Sequence, residues 1–399
     1  MTKTQRIGLR LLTASLLATT LGASPTLAKV PQPPKSDGSS GSFDAQFGNG
    51  QYGGATLVAF DTDNGDVIEY VGGGDSVAFT IPHETITYNG QSVPAYEFSS
   101  FNVEPSVSLT IEGTAPAVFL SQGNINIAGQ FKFANTPIAG GTPSTGLNGN
   151  YDGGPGAGVG GGGGGEGPGG GASACVSVSF TGSGGGGGGN YSTGGHGLKN
   201  YEPSDAGNQV DYPGGLPGRR ENAARLQGGG GGGAPGGGNA NGEYWGGVAG
   251  GNGGGAVVFS TAGTITITSS GVLDASGLAG GTNDGSGNPG NSGGGAAGDQ
   301  WFFAKGGLTN AGQILVHGGA GGAYKVPVSA CGSQRLVDGP NGGEGSGGVL
   351  MIDAPTIANS GTINLSGGNG TFAPDGGLLN ANGVTINNTG TITGARTTE

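Results

Sequence analysis

The apolar positions of this chain fall into short runs with a regular alternation. Ala256-Val257-Val258-Phe259 and Gly348-Val349-Leu350-Met351-Ile352 are strand-forming and stand between glycine-rich stretches. A second pattern, apolar-x-Asn-x-Gly-x-apolar, recurs at Leu308 to Ile314, Ile357 to Ile363 and Ile386 to Ile392. A looser copy runs from Ile267 to Leu273, and an abbreviated one from Ile127 to Phe131. After each bend the apolar residues keep period two, as Ile314 with Val316 and Ile363 with Leu365, which turns one face of a strand inward. Each copy therefore predicts a strand, a tight bend and a second strand, with Asn and Gly supplying left-handed backbone at the bend. Stacked copies would bring Asn310, Asn359 and Asn388 into a ladder of amides, with Gly312, Gly361 and Gly390 at the bends.

The first residues of successive copies, Ile267, Leu308, Ile357 and Ile386, are 41, 49 and 29 residues apart. A coil with loops of variable length absorbs that unevenness. The expected fold is all-β: a right-handed parallel β-helix over 102–395, broken by glycine-rich insertions at about 134–252, 278–306 and 318–347. Residues 43–101 carry more aromatics and less Gly, and read as an N-terminal β cap or the first rungs. Two hairpins are legible there, Leu57–Phe60 with Val67–Tyr70 across Asn64-Gly65, and Thr85–Tyr88 with Gln91–Val93 across Asn89-Gly90. Asn-Gly suits a type I′ turn, in which both central residues take positive φ.

Composition sharpens this picture. Of 399 residues, 100 are Gly. Gly does not recur at every third position, which excludes collagen, and the recurrent strands exclude wholesale disorder. The large insertion holds three pure runs, Gly160–Gly165, Gly184–Gly189 and Gly228–Gly233. These are either flexible loop or extended helices of three residues per turn packed side by side. The stretches from Gly254 to Gly277 and from Gly347 to Gly370, above all Ala354-Pro355-Thr356-Ile357-Ala358-Asn359-Ser360-Gly361-Thr362-Ile363, resemble glycine-rich exported bacterial proteins with pectin-lyase-like or haemagglutinin-like β-helices. The likeness covers roughly Phe101 to Gly394. Packed glycine helices would also be similar to the glycine-rich tips of some phage adhesins. The resemblance implies the fold and assigns no role.

Residues 1–28 read as a signal peptide: Lys3, Arg6 and Arg10 precede an apolar stretch from Leu11 to Gly22, and Thr26-Leu27-Ala28 offers a cleavage site. Residues 29–42, rich in Pro, Ser and Gly, read as a flexible linker. The expected location is extracellular or at the cell surface, with no membrane span. In that compartment Cys175 and Cys331 form a disulfide or remain two buried thiols. The formal net charge of −12 argues against nucleic acid and anionic membrane surfaces.

Candidate chemistry is sparse. Gly290-Asn291-Ser292-Gly293-Gly294 matches a hydrolase elbow, but Gly-rich sequence produces that match by chance. His83, His196 and His317 stand singly, without metal-ligand spacing. Asp61-Thr62-Asp63-Asn64-Gly65-Asp66 has calcium-loop residues but lacks Glu at the twelfth place; acidic turns such as Asn148 to Asp152 also have donor oxygens for Ca²⁺. No other cofactor is indicated. Asp211, Arg219, Arg220, Glu221 and Arg225 form the densest charged cluster, inside the large insertion. Tyr191, Tyr201, Tyr212, Tyr244, Trp245, Trp301 and Tyr324 sit amid small residues, together with Phe302 and Phe303. Exposed, they would stack on sugar rings; buried, they would fill gaps between glycine-rich layers. The role expected is structural or adhesive and non-catalytic, with the insertions as contact surface. The alternatives are a polysaccharide-binding or polysaccharide-degrading protein and, from the alternating Thr264, Thr266 and Thr268, an ice-binding one.

Overall fold

The computed structural model describes residues 32–45, 57–70, 76–113, 116–133, 194, 226, 228–229, 232, 238–240, 243–245, 250–280, 293–322, 325–330, 333–338, 342–368 and 376–397. The regular structure of these residues is all β. Three sheets of seven, nine and eight strands account for most of it. The chain visits them in a fixed cycle. Gln300–Ala304 lies in the third sheet, Gly307–Asn310 in the first and Gln313–Leu315 in the second. The next turn repeats the order with Val349–Asp353, Ile357–Asn359 and Thr362–Asn364. Each strand pairs in parallel with its counterpart one turn away.

Side-chain alternation places apolar columns from all three sheets in a common core. In the third sheet Tyr96, Phe119, Phe259, Phe302 and Ile352 are in register. In the first, Phe101, Ile125, Ile265, Leu308 and Ile357 align. In the second, Leu109, Phe131, Leu273, Ile314 and Ile363 align. The early turns are filled by aromatic rings: Phe119 packs within 5.4–6.3 Å, centroid to centroid, of Phe60, Tyr96, Phe98, Phe101, Phe131 and Phe259. Large rings offset one another and fill volume that a single aliphatic side chain would leave open.

The third sheet is buried on its other face as well. Tyr88, Val93, Val118, Leu120, Val258, Trp301, Phe303 and Met351 form a second cluster there, joined by Leu226 from the large insertion. Gln91 Nε2 donates to the Leu226 carbonyl at 3.0 Å and ties that insertion to the sheet. This explains why third-sheet strands read as unbroken apolar runs and not as alternation.

Among the strands and hairpins, three sequence expectations differ from the structure. Gln300–Ala304, placed inside the second insertion by its glycine-rich surroundings, is a fully buried third-sheet strand. The bend after Ile267 is longer than its successors, so Ile265 pairs with Leu308 and Ile267 lies opposite Asn310, not opposite Leu308. At Asn64-Gly65 only Gly65 takes positive φ (80°), and its N–H bonds the Asp61 carbonyl at 2.9 Å, so the turn is longer than type I′. Asn89 and Gly90, at φ 49° and 72°, do form the turn with two left-handed residues. Replacing Asn89 by Ala should cost about 1–2 kcal/mol in urea unfolding, since Ala has no side-chain acceptor to ease that conformation, whereas Asn89→Gly should be neutral or stabilising.

Strands from this first part of the chain stand at one edge of each of the three sheets. Ser42–Ala45, Leu57–Asp61 and Gln91–Phe98 supply one strand to each sheet. Asp66–Tyr70, Ser76–Thr80 and Glu84–Tyr88 add antiparallel partners at the edge of the second and third sheets. The parallel stack thus gives way at these edges to short antiparallel strands.

Candidate functional site

Every glycine-rich excursion after residue 133 leaves from a second-sheet strand and returns to a third-sheet strand. Their described residues therefore gather at one corner, where the backbones bond to one another at every third residue. Gly342, Gly345 and Gly348 donate to the carbonyls of Gly322, Gly319 and Val316 at 3.1, 2.9 and 3.1 Å, an antiparallel pairing. Gly251 and Gly254 donate to Gly293 and Ala296, both at 2.8 Å, and Gly294 and Ala297 to Gly343 and Ser346 at 2.9 and 3.0 Å, both parallel. Gly229 and Gly232 extend the layer to Gly254 and Gly251.

Close approach, not backbone freedom, demands Gly in this layer. A Cβ on Gly295 would run into the Asn252 carbonyl, one on Gly319 into that of Leu278, and one on Gly345 into that of Gly295. None of the three has positive φ.

The bend residues obey the same rule. Asn310 Nδ2 donates to Asn359 Oδ1, and Asn359 Nδ2 to Asn388 Oδ1, both at 2.7 Å. Asn310 and Asn359 are buried, while Asn388 is exposed. Their oxygens also receive the bend amides: Gly312 N–H bonds Asn310 Oδ1 and Gly390 N–H bonds Asn388 Oδ1, each at 3.2 Å. Neither these asparagines nor Gly312, Gly361 and Gly390 have positive φ. The expected left-handed bend is thus replaced by a steric requirement: a Cβ on Gly361 would strike the Gly312 carbonyl, and one on Gly390 the Gly361 carbonyl.

The corner between the third and first sheets carries a different feature. Gln32–Gly41, whose composition reads as linker, lies as a strap across successive turns. Gln32 Nε2 donates to Asp353 Oδ2 (3.3 Å), Ser36 Oγ to the Phe98 carbonyl (2.9 Å) and the Asp37 N–H to Glu97 Oε2 (2.6 Å). Hydrogen bonds from Ser39 hold the Asp37 carboxyl below its ordinary value, whereas burial pushes that of Glu97 up. Under the strap lies a cleft of about 310 Å³, between Gln32–Ser36 and the corner residues Ser121, Gln122, Ser260–Ala262 and Lys305. No sequence pattern announces it, because its walls come from four separate segments between Gln32 and Lys305.

The other sequence candidates are placed as follows. Trp301 is fully buried against Tyr88, its ring 6.0 Å away, and offers no face to a sugar. Phe302 belongs to the inner core and Phe303 to the outer cluster. Tyr244 and Trp245 lie in a short strand, Glu243–Trp245, paired with Gly238–Ala240. Tyr191, Tyr201, Tyr212, Tyr324, Cys175, Cys331, Ser292, His196, residues 148–152 and the Asp211–Arg225 cluster lie outside the described residues. In the calcium-like loop, Asp61 Oδ1 accepts the Asp63 N–H and Asn64 Oδ1 the Asp66 N–H, both at 2.8 Å, so these side chains shape the turn. Among the described residues, no group of three or more His, Cys, Asp or Glu is placed to hold a metal, and no helix is long and apolar enough to cross a membrane.

Comparison with known proteins returns no match: no family model fits the sequence, and no curated protein or solved structure is significantly similar to it.

Proposed function

We propose that this chain is an exported, non-catalytic structural or adhesive protein of the cell surface or extracellular matrix. Its three sheets are read as the faces of a right-handed parallel β-helix, and its glycine segments as three-residue-per-turn helices packed against one corner. One observation carries the reading: the described residues of the glycine-rich excursions converge on a single layer bonded at every third residue. Fixing so many glycines is entropically costly, and a disordered linker would not do it. Most of the described layer is buried among its own segments, so it would serve as a rigid mount on the stack, and the residues at its rim would make the contact with an extended partner. The leader-like residues 1–28 and the acidic balance support export and solubility.

The test incubates the chain from Lys29 onward with immobilised bacterial and plant polysaccharides, scoring retained protein and newly released sugar ends. Retention without release is the expected result. Release of ends that grows with time would overturn the non-catalytic reading.

A further inference from the structure

We propose that the cleft beneath the N-terminal strap binds a saccharide bearing a phosphomonoester. This site lies at the corner between the third and first sheets, whereas the glycine layer lies between the second and third, so it does not rest on the reading above.

The cleft is lined by Lys35, on the strap, and by Lys305, in the bend that follows a third-sheet strand, both of them exposed. The whole chain has only 14 basic residues against 26 acidic ones. Two of them line the cleft, and none of its described lining residues is acidic; Asp353 meets Gln32 at one end of the strap, and Asp37 and Glu97 lie beyond the other. Neither ammonium has an ion-pair partner among the described residues. Their combined charge matches a phosphomonoester, which carries about −1.5 to −2 near neutral pH, better than a single carboxylate. Lysine suits that group as a point-charge donor.

The remaining walls argue for more than a bare anion. The volume of about 310 Å³ reaches the range of small-ligand sites, about 300–1,000 Å³. Pro34, exposed on the strap, gives apolar surface for the face of a ring. Gln122 and Ser260 offer neutral hydrogen-bonding groups at the same place. By contrast, the hydroxyls of Ser121 and Thr261 are already committed to the Gly123 carbonyl. The nearby Asp353 carboxylate is engaged by Gln32 at the far end of the strap. The phosphorylated sugar could be free or displayed on a polymer, and the probes separate these sources.

The experiment titrates the full chain with glucose 6-phosphate, glucose and inorganic phosphate by calorimetry, and measures retention on a phosphorylated mannan. Glucose 6-phosphate should bind more tightly than phosphate, with no heat from glucose. Lys35→Ala and Lys305→Ala should each weaken binding about tenfold, the effect of losing one charge-assisted contact; Lys305→Arg should retain most of it. Unchanged melting temperatures would show that these variants remain folded. Mannan retention lost in the same variants would identify the polymer as a source, and retention absent in the wild type would restrict the site to the free sugar. The proposal is overturned if glucose 6-phosphate does not bind. It is equally overturned if the double variant Lys35→Ala/Lys305→Ala binds like wild type, or if inorganic phosphate binds as tightly as the sugar phosphate.

Discussion

Gly295→Val should lower unfolding stability by at least about 3 kcal/mol, the upper range for overpacking a filled interior. The new Cβ has no rotamer in which to escape, because it is built into the Asn252 carbonyl, backbone against backbone. Nor can the segment slide away. Gly295 donates to the Leu278 carbonyl at 2.9 Å and accepts from Gly319 N–H at 2.8 Å. Its carbonyl also occupies the space a Cβ on Gly277 or Gly345 would need. A shift that relieved one clash would therefore break bonds to two other segments. Gly90→Ala is the control. Its φ of 72° penalises Ala, but nothing lies within 4 Å of the added carbon, so the cost should stay near 1–2 kcal/mol, roughly that of a left-handed L-residue. Chemical unfolding followed by circular dichroism reads both variants. Equal midpoints for Gly295→Val and wild type would show that the layer is not close-packed in solution.

This contrast marks what was legible in the sequence. The two-residue alternation of Ile314 with Val316 and of Ile363 with Leu365 identified strands with one buried face, because burial on one side leaves a period. Asn89-Gly90 identified its turn, because few other residue pairs tolerate two positive φ angles. Gln300–Ala304 was hidden for the opposite reason: a strand buried on both faces keeps no alternation, and Trp301-Phe302-Phe303 among glycines resembles an aromatic patch on a loop. The reason for glycine at the bends was also illegible. Positive φ and close approach of a neighbouring carbonyl both call for the missing Cβ, and only the stacking of Gly312, Gly361 and Gly390 distinguishes them. The strap cleft lies beyond any local signal, since Lys35 and Lys305 are brought together by a segment that crosses the turns.

The asparagine ladder should behave as a unit. In the register of the first sheet, Val103, Ile127 and Ile267 occupy the column that Asn310, Asn359 and Asn388 continue. The site thus accepts an apolar side chain in the early turns and amides in the later ones. Asn359→Leu removes the acceptor of Asn310 Nδ2, leaving that buried group only the Thr362 carbonyl at 3.3 Å. An orphaned buried donor costs about 1–3 kcal/mol. Asn310→Leu alone orphans Asn359 Oδ1 by the same logic. The double variant Asn310→Leu/Asn359→Leu leaves no buried ladder amide, and Asn388, being exposed, turns to water. Its cost should fall short of the summed single costs by about 1–2 kcal/mol, a coupling typical of residues sharing one network. The residual loss comes from Gly312 N–H, which gives up Asn310 Oδ1. A double-mutant cycle in urea measures the coupling directly. Strictly additive costs would mean that the amides are satisfied independently, so that the ladder contributes register without cooperative stability.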